Sequence, residues 1–96
     1  MKMFFLVYPD YFDTRITNEF RQAGYKKYTK VRGTTGAGDE TGPKLGTAHA
    51  PGKNNILLIA VPDEEIPRLL DFVRQMRQAH PTGGFRAFTF PLEECI

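Results

Sequence analysis

The sequence predicts an α+β domain whose four strands and two helices run in the order βαββαβ. Three observations carry that reading. Met3–Tyr8 and Ile56–Val61 are apolar at nearly every position, as strands with neighbours on both sides tend to be. Two other stretches, beginning at Asp10 and Asp63, space their apolar residues three and four apart, the period of a helix with one buried stripe. Each helical stretch stands between two strand candidates, so the chain divides into two strand–helix–strand halves. A four-stranded antiparallel sheet with both helices on one face accommodates this order, the ferredoxin-like sandwich. With 96 residues the chain has material for one such core, so residues 1–96 are read as a single domain.

Met3–Tyr8 is the first strand, and Pro9-Asp10 stops it. In the helix that follows, Phe12, Ile16, Phe20 and Ala23 form the apolar stripe. Asp10 or Asp13 is placed to cap its free amides, Arg15 and Glu19 are spaced to pair, and Gly24 supplies a left-handed stop. Tyr25–Arg32 mixes β-formers with Lys26, Lys27, Lys30 and Arg32, a composition suited to an edge strand. Asn55–Val61 is the second central strand. Asp63-Glu64-Glu65 places a cap and negative charge at the start of the second helix, whose stripe is Ile66, Leu69, Leu70, Val73 and Met76. Pro67 falls in its first turn, and the helix fades at His80-Pro81. Thr82-Gly83-Gly84 is a turn, Phe85–Phe90 the last strand and the second edge, and Pro91–Ile96 an acidic tail.

Between the second and third strands lies the segment that departs from an ordinary sandwich. Gly33 to Asn54 shows no apolar period, while a hairpin connection normally takes about 2–5 residues. Gly33, Gly36, Gly38, Gly42, Gly46 and Gly52 permit the close backbone approach of an anion-binding nest, although flexible loops share that composition. A phosphate-loop motif over Gly46–Asn54 is rejected. Its spacing is one residue too long, Asn54 replaces the hydroxyl residue, and a strand follows instead of a helix.

Composition narrows the function classes. No apolar run approaches the roughly 20 residues of a membrane helix. The N-terminus lacks a secretory pattern and Cys95 is the sole cysteine, so a cytoplasmic, reducing location is expected. A net charge of +2 does not point to nucleic acid, and the third strand lacks the aromatic residues on which RNA-binding sheets stack bases. No nucleophile–base pattern emerges, so no enzyme activity and no catalytic residue is assigned. His49 and His80 lack the paired spacing of metal ligands. Because both central strands are apolar on both sides, the face without helices is expected to be covered by further copies of the chain.

Arg32, beside Gly33, and Arg86, two residues after the Gly83-Gly84 pair, are the stronger candidates for binding an anion, with Lys53 closing the loop. Since the second and last strands are opposite edges of the sheet, the basic residues around the loop and Arg86 are expected to share an anion only across a subunit boundary.

Three pieces stand out together: Val31-Arg32-Gly33 before the long loop, the turn Gly83-Gly84-Phe85-Arg86, and Phe88–Glu93, FTFPLE. With them nearly the whole chain resembles the PII-like proteins, the superfamily of the nitrogen regulatory protein, and more distantly the CutA-type proteins. The resemblance implies a homotrimer of packed sheets that binds a small-molecule effector, a nucleotide or anion, in its subunit clefts. An adenine nucleotide is the effector class it suggests. The 33–54 loop would correspond to the family's T-loop, contacting a target protein such as a membrane transporter or an enzyme. By the same resemblance the ligand-binding residues would be Arg32, Gly33, Thr34, Thr35, Gly36, Lys53, Gly83, Gly84, Phe85 and Arg86. The turn reads GGFR where the family has glycine-acid-glycine-lysine, and the loop carries no tyrosine for uridylylation. A divergent sensor of another nucleotide or small anion is therefore expected. The CutA-like alternative is a metal-responsive trimer in which symmetry brings together His49 or Cys95.

Overall fold

The computed structural model describes residues 1–38, 42–44 and 53–96. Its elements are β1 (Lys2–Pro9), α1 (Asp13–Gln22), β2 (Thr29–Thr34), β3 (Gly36–Gly38), β4 (Gly42–Lys44), β5 (Asn54–Val61), α2 (Ile66–Ala79) and β6 (Arg86–Pro91). Strands β2, β5, β1 and β6 form an antiparallel four-stranded sheet in that order, which is the ferredoxin-like arrangement. The two most apolar strands are central and the two mixed ones are edges. The order follows the chemistry of the margins, where the long Lys and Arg side chains of an edge strand reach water around the side of the sheet while the central strands lie over the middle of the core.

One face of the sheet carries the core. Phe4, Leu6 and Tyr8 of β1 and Leu57, Ile59 and Val61 of β5 alternate inward and pack against Ile16 and Phe20 of α1 and Leu69, Val73 and Met76 of α2. On the opposite face Val31, Ile56 and Val7 form one cross-strand row, Leu58, Phe5 and Phe88 the next, and Met3 with Phe90 a third. That face is apolar yet open: Phe88 is 55% exposed, Val31 45% and Phe90 43%. An antiparallel sheet with one solvated face ordinarily alternates apolar with polar residues. This one does not.

Several local expectations change in the structure. Neither helix has a side-chain cap. Each is entered through a 3-10 turn, Asp10–Phe12 and Asp63–Glu65, and the acidic groups go elsewhere. Asp63 accepts from the Met1 amine at 2.8 Å, and Glu65 accepts from the Tyr25 hydroxyl at 2.6 Å. Two expectations hold in detail: Arg15 and Glu19 pair at 3.2 Å, and Gly24 takes a φ of 99°. Strand β2 begins at Thr29, so Tyr25–Tyr28 is not part of the ladder. It also runs on through Gly33 and Thr34, and the first stretch expected to be loop forms the short ribbon β3–β4. Among the described residues no helix is long and apolar enough to cross a membrane.

Candidate functional site

The site begins with an irregularity in β2. Val31 pairs with Ile56, but Thr34, three residues on, pairs with Asn54, only two residues away along β5. One residue of β2 is therefore extra, a β-bulge, and Gly33 sits in it with φ of 71°. A side chain at that angle would be strained, which is the reason for glycine here.

A buried polar cluster holds the bulge. The Gly33 N–H donates to Asn55 Oδ1 at 3.1 Å, and Asn55 Nδ2 donates to Asp13 Oδ1 at 3.0 Å. Asp13 also accepts from the Tyr8 hydroxyl at 2.7 Å and pairs with Lys30 Nζ at 3.0 Å. Lys30 in turn donates to Thr17 Oγ1 at 2.7 Å. Asn55 and Tyr8 are fully buried, and a buried amide of this kind is costly unless its groups are paired. Burial is the largest single influence on Asp13 and pushes its carboxyl upward. The hydrogen bonds from Tyr8, Lys30 and Asn55 outweigh it together and hold Asp13 below the ordinary carboxylate value. Burial first, and then Asp13, push the Tyr8 phenol well above its ordinary value. The cluster therefore carries an ionised Asp13 and a neutral Tyr8 at neutral pH, and it ties the start of α1 to the base of the long loop.

Beyond the bulge, Thr34, Thr35, Gly36 and Ala37 form one wall of a cleft of about 300 Å³. Gly84 and Arg86 form the other, and Val7, Ile56 and Phe88 of the open sheet face make its floor. Thr34 Oγ1 donates to the Asn54 carbonyl at 2.7 Å, which fixes its rotamer. The second wall is positioned by packing. Phe85 is buried and stacks edge-on to Phe12, with ring centroids 5.0 Å apart, and lies beside His80. Its carbonyl accepts from the Arg77 guanidinium of α2. Gly83 is required by that packing, because a Cβ there would fall 2.7 Å from the Phe85 ring. Gly84, at φ of 80°, turns the chain into β6.

The residues expected to bind ligand thus separate into three groups. Thr34, Thr35, Gly36, Gly84 and Arg86 line the cleft together. Gly83 and Phe85 are packing residues of the turn. Arg32, Gly33 and Lys53 do not line the cleft: Arg32 pairs with Asp10 at 3.2 Å, and the Lys53 carbonyl accepts the Asp10 N–H at 2.9 Å. The loop base and the glycine turn come together within one chain, without a subunit boundary, because Thr34–Ala37 reach over the open face of the two central strands. His49, Gly46 and Gly52 lie outside the described residues. Cys95 is exposed, and among the described residues no group of three acidic, histidine or cysteine side chains could hold a metal ion.

The sequence reading missed Asn54, Ala37 and Phe88 as lining residues, and missed Asn55 and Asp13 as the supports behind them. Asn55 had a visible sign, being a polar residue at an inward position of a strand otherwise apolar throughout. Asp13 had none, since its partners stand 5, 17 and 42 residues away in sequence. The lining supplies a guanidinium, hydroxyls and glycine backbone at its walls and aliphatic and aromatic surface at its floor. That combination suits a ligand with one anionic end and one flat or apolar end. Comparison with protein-family models and with curated proteins finds no match to this chain.

Proposed function

We propose that the protein is a PII-like regulatory protein that binds a small anionic effector, with an adenine nucleotide as the first class to test, and reports its presence through the 33–54 loop. The observation that carries this reading is the shared cleft, in which the base of the long loop forms one wall and the Gly84–Arg86 turn the other. An effector held between them binds one arrangement of the loop base better than another, and that difference in affinity is what shifts the loop population. A target protein, such as a transporter or an enzyme, then reads the loop.

The apolar open face supports the second part of the proposal, a homotrimer in the cytoplasm whose sheets cover one another. Its exposed Phe88 and Phe90 belong to a continuous apolar surface of the kind that marks an interaction site. Phe88 belongs to both this face and the cleft floor, so assembly would close the cleft as well.

The test is a thermal-shift panel of ATP, ADP, AMP, cyclic nucleotides and bicarbonate, combined with a mass measurement in solution. A ligand at about 100 times its Kd raises stability by about 2.7 kcal/mol. Arg86→Ala is expected to weaken the responding ligand at least about tenfold, the loss of one charge-assisted contact. Indifference to the whole panel overturns the effector reading, and a monomer at micromolar concentration overturns the trimer.

A further inference from the structure

At the end of the sheet away from the cleft, β5 is only half paired on its outer side. Its contact with β2 covers Asn54 to Leu58, whereas its contact with β1 runs the full length to Val61. Along Ile59–Val61 every second residue therefore directs its N–H and C=O away from β1 with no strand beside it among the described residues. Tyr25–Tyr28, which would have continued β2, diverges here instead and leaves a cleft of about 390 Å³ between Gly24–Lys27 and Ile59–Pro62. An edge of this kind is a template for another strand.

The slot has a sign of charge. Lys26 and Lys27 are exposed on its outer wall. Glu65, its one carboxylate, is already engaged by the Tyr25 hydroxyl at 2.6 Å and by Arg68 at 3.8 Å. The matching feature lies on the same chain, in residues 92–96 (LEECI), which carry two carboxylates between apolar residues. Glu93, Glu94 and Cys95 are exposed, and Ile96 is fully exposed, an isoleucine without packing.

We propose that the unpaired half of the β5 edge is a slot for residues 92–96 of a second copy of the chain. Insertion would supply the missing backbone partners, set Glu93 and Glu94 against Lys26 and Lys27, and bury Ile96. Residues 92–96 cannot fill the slot of their own chain. Residues 92–96 leave β6 at the opposite edge of the sheet, about three strand spacings or 14 Å away. Five extended residues span only about 17 Å, which leaves too little chain to lie along the edge. The contact is head-to-tail, so its repetition gives a ring where the rotation closes and an open chain where it does not. It uses the sheet edge, so it stands independently of the effector cleft and of the open face.

Hydrogen exchange at Ile59–Val61 tests it, comparing the full chain with a variant lacking residues 93–96, which keeps the Leu92 N–H bond to the Met1 carbonyl. The outward amides are expected to be protected in the full chain in proportion to its concentration, and to exchange at least about tenfold faster in the shortened chain. A peptide of residues 90–96 carrying Cys95→Ser should restore protection, and Lys26→Glu with Lys27→Glu should weaken its binding at least about tenfold. A peptide with Glu93→Lys and Glu94→Lys should then bind the charge-reversed chain in preference to the original. Equal exchange in the full and shortened chains overturns the proposal, as does peptide binding that ignores charge reversal. If the shortened chain still oligomerises while the peptide fails to bind, the slot is wrong and the open-face assembly stands. If the peptide binds a monomeric shortened chain, the slot stands and the open-face assembly is wrong.

Discussion

Thr34–Ala37 and Gly84–Arg86 face each other across one cleft, but different forces hold them. The first wall hangs from the bulge at Gly33, which is fixed by Asn55, and Asn55 is fixed by an ionised Asp13 shared with Tyr8 and Lys30. The second wall is anchored by Phe85 in the core against Phe12, with a glycine at position 83 because the ring leaves no room for a Cβ. One is directional, charged and sensitive to pH. The other is held mainly by apolar packing, with a single hydrogen bond from Arg77 to the Phe85 carbonyl beside it. A site built this way can have one wall adjusted by hydrogen bonding while the other stays as a fixed reference.

The largest expected effect belongs to the packed wall. Phe85→Ala removes a buried aromatic ring and is expected to cost about 3–5 kcal/mol in urea unfolding. That loss should be equal within error at pH 7 and at pH 4; a strong pH dependence would show that the second wall also relies on charge. Next comes the polar wall: Asn55→Ala leaves the Gly33 N–H without its acceptor and is expected to cost about 1–3 kcal/mol. Amide exchange at Gly33 and Thr34 should accelerate while Gly84 and Arg86 keep their wild-type rates. If both walls loosen together, the two are one cooperative unit and the comparison fails.

Acid gives a smaller and more selective test. Asp13 is held below its ordinary value of 3.8, so its contribution is present above that pH and is lost as pH falls through the folded value. Asp13→Asn is therefore expected to flatten part of the stability loss between pH 4 and pH 2, measured against wild type by urea midpoints. An unchanged slope would mean that the carboxylate does not stabilise the bulge. The smallest effect is expected at Arg32, whose pairing with Asp10 is solvent-exposed. Arg32→Ala should leave the urea midpoint within error of wild type, and its pair should weaken with added salt.

The fold was legible because apolar continuity and helical period are properties of neighbouring residues. Met3–Tyr8 and Ile56–Val61 declare themselves as central strands without any knowledge of what lies beside them, and Gly24 declares the end of α1. The site was legible only in part. Gly36, Gly84 and Arg86 could be singled out from glycine and charge, and Thr34 and Thr35 only through the family resemblance, but their meeting within one chain depends on the bulge, which appears as no local pattern. Phe85, read in a glycine turn, looked like a ligand contact. Its burial depends on Phe12 and His80, and no spacing rule connects them. Asp13 looked like a helix cap because the local sequence offers it that role, yet three partners distant in sequence compete for the same oxygen and win.

The extra residue in β2 also acts as a change of parity. Lys30 lies opposite Leu57 on the helix side, and strict alternation would carry every even-numbered residue after it to the same side. The bulge reverses the count, so Thr34 lies opposite Asn54 on the open side, and the loop that follows starts from there. A ladder that paired Gly33 regularly would send Thr34 to the helices and empty the cleft's first wall, whereas deleting Gly33 would remove the bulge and leave Thr34 opposite Asn54. The face of the sheet on which Thr34–Ala37 line the cleft is in this sense a one-residue decision.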